Sequence, residues 1–121
     1  MTPLSQRPFA PVLPLLWVAI ALHVVALLLA FGAAEAWRFM PIAVVYLALL
    51  ACLARGWRWA GYVTFFASAV SGIIVLSTLW SVNALPGWWK LATLSAHWLT
   101  AGAVFTVLWH AAPSDPDQLG D

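Results

Sequence analysis

The sequence predicts an all-α protein, an integral membrane four-helix transmembrane bundle with up-down antiparallel packing. Three observations predict it. Of its 121 residues, 64% are hydrophobic and only 7% charged, whereas a soluble domain carries about a quarter charged residues. The apolar residues fall in long runs rather than in stripes or alternation, and runs of roughly 18 or more with few charges read as membrane spans. Trp37, Trp57, Trp59, Trp88, Trp89 and Trp109 all sit at the ends of those runs, where indole rings favour the headgroup region. A mean hydropathy of +0.95 leaves too little polar surface to cover a water-soluble globule. The length sets a single domain, 1–121.

Each element follows from local sequence. MTPLSQRPFAP reads as an irregular, proline-rich leader. The first span covers 14–31; Pro14 is tolerated in a first helical turn, where its missing N–H would lack a partner anyway. Gly32 ends that run. PIAVVYLALLACLA (41–54) is short for a bilayer that needs about 20 residues. Adding Trp37 to Met40 gives a second span over 37–54, with Arg38 snorkelling toward headgroups. RGWRW (55–59) is a tight polar turn, and the third span runs over 60–82. NALPGWWK forms a short loop ending in Trp88, Trp89 and Lys90, read as interfacial anchors like the other four tryptophans. The fourth span covers 91–109, and the tail 113–121 has the proline, aspartate and glycine of a disordered end. Short connections make neighbouring helices antiparallel.

Ala34-Glu35-Ala36 has the small-x-small form of a signal-peptidase site. The preceding apolar run of about 18 residues exceeds the ~7–15 of a signal sequence, so the first helix is expected to be retained. Four spans place both termini on one side, with Arg7, Arg55 and Arg58; Arg38 and Lys90 lie on the other. The positive-inside rule then puts both termini in the cytoplasm. Residue usage rich in Ala, Trp and Leu, with Arg over Lys, suggests a bacterial inner membrane.

Several classes of chemistry are excluded. The scattered basic residues form no stripe for nucleic acid. Cys52 is the only cysteine, so neither an intrachain disulfide nor a cysteine metal cluster is possible. In its apolar run it reads as an inert thiol. Asp115, Asp117 and Asp121 lie in the tail, and no nucleophile elbow, phosphate loop or zinc-ligand spacing occurs. No metal site and no enzymatic activity are expected.

What remains is histidine and small residues. His97 and His110 share the fourth span, but they are about 20 Å apart along it and about 140° apart around it. They therefore cannot share a ligand. His110 reads as an interfacial residue at a helix C-terminus, where the dipole favours positive charge. His23 and His97 form the better pair. Measured from the cytoplasmic ends of antiparallel helices, they lie about 14 and 18 Å deep. Ionisable residues at that depth mark candidate functional sites. The simplest role for each is a hydrogen bond across a helix interface. The functional readings are a quinone or proton contact, or paired ligation of a b-type haem. The second and third spans hold no histidine, so a four-ligand haem pattern is absent.

In the third span, Ala60, Thr64, Ser68 and Gly72 recur every four residues, a small-residue ridge for close helix packing. Ser71, Ser77, Thr78 and Ser81 add hydroxyls toward the other end, read chiefly as bonding to helix carbonyls. No carboxylate falls mid-span, which argues against cation-coupled transport, and Glu35 with Arg38 reads as an interfacial pair. The leading functional expectation is an accessory or scaffold subunit that packs in the lipid bilayer against another membrane protein or a second copy of itself. The alternatives are an electron-transfer protein contacting haem or quinone through His23 and His97, and a small dimeric transporter.

Overall fold

The computed structural model describes residues 8–32, 36–80 and 85–110. These residues are all-α: four helices and no strand. Arg7, Glu35, Ser81 and the tail 113–121 lie outside the described residues, so the expectations for the leader before residue 8, the Glu35–Arg38 pair and the tail do too.

The first helix, α1, is Leu13–Leu29, with Pro14 in its first turn as its ring geometry favours. A 3-10 turn over Ala36–Arg38 leads into α2, Phe39–Ala54. Helix α2 ends in a Schellman motif. Gly56 takes a φ of 80° that a side chain would resist. Its N–H reaches the Leu53 carbonyl at 2.9 Å, and the Trp57 N–H reaches that of Cys52 at 3.3 Å. That turn launches α3, Arg58–Ser77. Helix α3 stops five residues before the expected boundary at 82, where hydroxyls intercept the last carbonyls: Ser77 Oγ donates to Ile74 O at 2.6 Å and Thr78 Oγ1 to Val75 O at 2.9 Å. The fourth helix, α4, is Gly87–His110, starting four residues before the expected 91 and directly after Pro86.

Helices α3 and α4, with 20 and 24 residues, are long and apolar enough to cross a membrane; α1 and α2, with 17 and 16, are shorter apolar helices. The corresponding lengths are about 30, 36, 25 and 24 Å.

Contacts at the two ends of the bundle fix its order. At one end, Gly61 of α3 sits so close to the Phe9 ring and Leu108 of α4 that a Cβ on it would meet Phe9 Cζ at 2.8 Å. At the other end, Trp89 near the start of α4 meets His23 of α1 and Phe39 of α2. Helices α1 and α3 therefore start where α2 and α4 finish. Packing is closest between α3 and α4 and between α1 and α2; of the adjacent helix pairs, α2 and α3 are the most loosely packed.

The interior has two storeys. At the Phe9 end, Phe9, Val12, Leu16, Ile20, Leu49, Leu53, Ala60 and Val104 form an apolar core with Tyr46 at its edge. Phe9 comes from the stretch read as an irregular leader and Val12 follows it directly; a turn closed by the Val12 N–H on Phe9 O (2.9 Å) folds both inward. Cys52 is half-buried beside this core as a free thiol. At the other end the buried side chains are polar: His23, Thr93 and His97, with Trp89 and Lys90.

The outside is the reverse. Trp17, Leu28, Val44, Phe66, Ile73, Leu99 and Phe105 are among many large apolar side chains exposed along the helices. Only 28% of the apolar window of α3 and 33% of that of α4 are buried, so each helix turns most of its apolar surface outward.

Candidate functional site

Helix α4 supplies the spine of the site. Its buried positions Trp89, Thr93, Ala96, His97, Thr100, Ala101 and Val104 recur at three- and four-residue spacing, the inner stripe of a helix. Trp89 and Lys90 fall on that stripe. Both are buried, at 3% exposure each, and thereby depart from the expectation that they anchor the interface. The other expected anchors lie at the helix ends, with Trp37, Trp59, Trp88 and Trp109 exposed and Trp57 half-buried. Guanidinium groups cover some of these end aromatics: Arg38 lies 5.9 Å from the Trp37 ring and Arg55 5.3 Å from that of Trp57.

His23 and His97 meet. Their ring centroids are 5.4 Å apart with the planes at 62°, an edge-on arrangement within the range of packed aromatic rings. Both are buried. His23 sits on the inner face of α1 with Leu16, Ala19, Ile20 and Ala26. Its Nδ1–H donates to the Ala19 carbonyl one turn earlier, at 2.7 Å. For a neutral imidazole that bond leaves the lone pair on Nε2.

Tyr46, 2% exposed, joins the pair from α2. Its ring lies 5.7 Å from His23 and 5.4 Å from His97. Its hydroxyl is 2.8 Å from Ser71 Oγ and 3.3 Å from His97 Nδ1. A row Ser71–Tyr46–His97 thus crosses from α3 through α2 to α4. The Ala67 carbonyl, 3.4 Å away, is a second acceptor for the Tyr46 proton; when Ser71 donates to Tyr46 and Tyr46 donates to Nδ1 instead, His97 carries its proton on Nε2. The two histidines then present one acceptor and one donor side by side.

Trp89 completes the cluster. Its Nε1–H donates to the Leu22 carbonyl at 2.7 Å, which ties α4 to α1 next to His23. Phe39 packs edge-on to Trp89 at 5.8 Å and lies 6.4 Å from His23. A cavity of about 310 Å³ opens among these rings, lined by His23, Phe39, Ser71, Trp89 and His97 together with Arg38 and Thr78.

Haem does not fit this arrangement. Two imidazoles that share a haem iron stand on opposite faces of the macrocycle. His23 and His97 instead pack ring against ring, with no gap for that plane. Among the described residues no three His, Cys, Asp or Glu come together. All four acidic residues lie at 35, 115, 117 and 121, outside the described bundle.

The ridge residues Ala60, Thr64, Ser68 and Gly72 are all buried. Gly72 lies directly under the indole of Trp98, so the ridge seats α4 of the same chain. Thr64 and Thr93 keep buried hydroxyl oxygens with no hydrogen-bond partner among the described residues. Thr100, one turn beyond Ala96, bonds back to its carbonyl at 2.7 Å. His110 is the exposed last residue of α4, far from the other two histidines.

Sequence reasoning missed Tyr46, Phe39 and the inward turn of Trp89. Two signals for them were present. Tyr46 and Cys52 are the only polar side chains in the run 41–54, and a hydroxyl in such a run needs a partner. Trp89, Thr93 and His97 recur every four residues, as one helix face does. No protein-family model matches the chain, and no curated protein or solved structure matches it.

Proposed function

We propose that the chain is a multi-pass inner-membrane protein, crossing four times with both termini cytoplasmic, that binds a small lipid-soluble molecule at His23 and His97. One observation carries the reading. At the end of the bundle away from the Phe9 core, His23, Thr93 and His97 face in while large apolar side chains cover the outside, and the two imidazoles line one cavity. Burying His23, His97, Thr64 and Thr93 while exposing Leu28, Phe31 and Phe105 would be costly in water. In lipid the same arrangement is favourable, because the outer surface meets hydrocarbon and each interior polar group can seek a partner. Helices α1 and α2 contain no charged residue. The turn at 8–12 and the 3-10 turn before α2 lengthen these two elements toward the ~30 Å hydrocarbon thickness. The exposed Trp59 and Trp109 at one end and Trp37 and Trp88 at the other match the two headgroup belts.

The test is extraction. Wild-type protein and His97→Leu are purified in native lipid patches, extracted with organic solvent and compared by mass spectrometry. A species enriched over bulk lipid in wild type and depleted in the variant is expected. Identical extracts from both would refute the reading.

The accessory-subunit reading is a second proposal, supported by the long apolar outer faces of α3 and α4. Its other support weakens, because the Ala60–Gly72 ridge is occupied by α4 of the same chain. Reproducible co-purification of one membrane partner in native lipid is its expected signature, and a clean monomer would count against it.

A further inference from the structure

Resting on the binding site just proposed, the geometry points to a quinone-class ligand: a flat ring bearing a carbonyl or hydroxyl oxygen, carrying an apolar tail, and entering sideways from the lipid between α2 and α3. Three features carry this.

The first is the shape of the cavity wall. Trp89, Phe39 and His23 stand within 5.8–6.4 Å of one another around the 310 Å³ cavity. An aromatic wall of this kind suits an apolar, conjugated guest.

The second is hydrogen bonding. The bonds that the two histidines make run through Nδ1 in both cases, to Ala19 O and to the Tyr46 hydroxyl. Nε2 of each is the atom left for a guest in the cavity that both rings line. With Tyr46 donating to His97, His97 Nε2–H donates to a carbonyl oxygen and His23 Nε2 accepts from a hydroxyl. An oxygen able to be either carbonyl or hydroxyl suits that donor–acceptor pair, and a quinone ring bears such oxygens. The histidine pair by itself offers a carboxylate or phosphate head only one proton, because His23 Nε2 presents a lone pair.

The third is the route. A groove of about 680 Å³ runs along the outer side of the loosely packed α2–α3 pair, lined by Val45, Tyr62, Val63, Phe66 and Val70. Ile42 and Ser71 line both this groove and the inner cavity. The 2.8 Å contact between the Tyr46 hydroxyl and Ser71 closes α2 on α3 at that shared wall. Opening the contact would join groove and cavity. The ring would then sit among Trp89, His23 and His97, with its tail lying along Val45, Phe66 and Val70.

The test uses a decyl-chain azidobenzoquinone, photolysed on the protein in lipid nanodiscs, with adducts mapped by mass spectrometry. Adducts are expected on the α1 and α4 peptides around His23, Trp89 and His97. Unlabelled decylbenzoquinone should displace them, and decylbenzene, which has the tail without the oxygens, should not. His97→Leu should cut labelling by about fivefold or more, the effect of losing one buried hydrogen bond. Val70→Trp fills the groove from a half-exposed position that can take the bulk, and should lower labelling with the histidine cluster intact. Retained helical circular dichroism qualifies both variants. Labelling that decylbenzene displaces equally, or that ignores both substitutions, overturns the proposal. If an extracted species depends on His97 while the quinone probe labels nothing, the ligand class is wrong and the binding site stands. If no species is extracted and nothing is labelled, both fail.

Discussion

Gly72→Ala is a one-methyl change whose cost can be worked out from the packing of α3 on α4. A Cβ built at Gly72 falls on Nε1 and Cδ1 of the Trp98 indole, well inside van der Waals contact. The ring or the helix must therefore move. Overpacking of this kind costs about 1–3 kcal/mol. Alanine is the better helix former by up to ~1 kcal/mol, which offsets part of the loss. Trp98 is 44% exposed, so its ring can swing outward, and this favours the lower half of the range. A net destabilisation of about 1–2 kcal/mol is expected. The assay is reversible unfolding in mixed micelles of rising SDS fraction, read by circular dichroism. Gly102→Ala is the internal control: a Cβ there meets nothing within 4 Å, so it should be neutral or slightly stabilising. Trp98→Ala should abolish the penalty of Gly72→Ala in a double-mutant cycle. Equal stability of Gly72→Ala and Gly102→Ala, or a penalty that survives Trp98→Ala, would refute the packing argument.

Other expectations follow from the same structure. Leu99 sits at the middle of α4 and is 60% exposed. If that face meets lipid, Leu99→Lys should cost about 3 kcal/mol of insertion in a glycosylation-mapped translocon assay, whereas unchanged insertion would remove the membrane reading. Tyr46→Phe strips the hydroxyl shared by Ser71 and His97; a loss of about 0.6–1.7 kcal/mol is expected, with imidazole NMR shifts at His97 but little change at His23. Trp89→Phe removes the 2.7 Å bond to Leu22 and should destabilise by about 1 kcal/mol, while Trp88→Phe, on an exposed ring, should be silent in the same SDS titration. Phe9→Ala empties a fully buried position and should cost near the lower end of the ~3–5 kcal/mol range for such a cavity; a silent result would return residues 8–11 to an uninvolved leader.

Much of the helix layout was legible because hydropathy acts locally. The runs around 14–31 and 41–54 read as helix on hydropathy alone, and Gly56 after Ala54-Arg55 marks a helix stop through its own backbone freedom. Boundaries slipped where a side chain had two options. Ser77 and Thr78 can continue α3 or turn back on its carbonyls, and they turn back. Trp88, Trp89 and Lys90 look alike as a composition, yet 100° of rotation per residue sends Trp88 outward and its two neighbours inward.

The sequence by itself determined the centres of the four helices, that no carboxylate can lie mid-helix, and that His23 and His97 stand at comparable depth in the bundle on antiparallel elements. Depth follows from counting residues along one axis. Tertiary structure alone decided that the two rings touch, that Tyr46 and Ser71 join them, and that the Ala60–Gly72 ridge seats α4 rather than a partner. Those outcomes depend on how each helix is rotated about its axis. That rotation is set by the sum of contacts between helices distant in sequence, and no local run of residues records it.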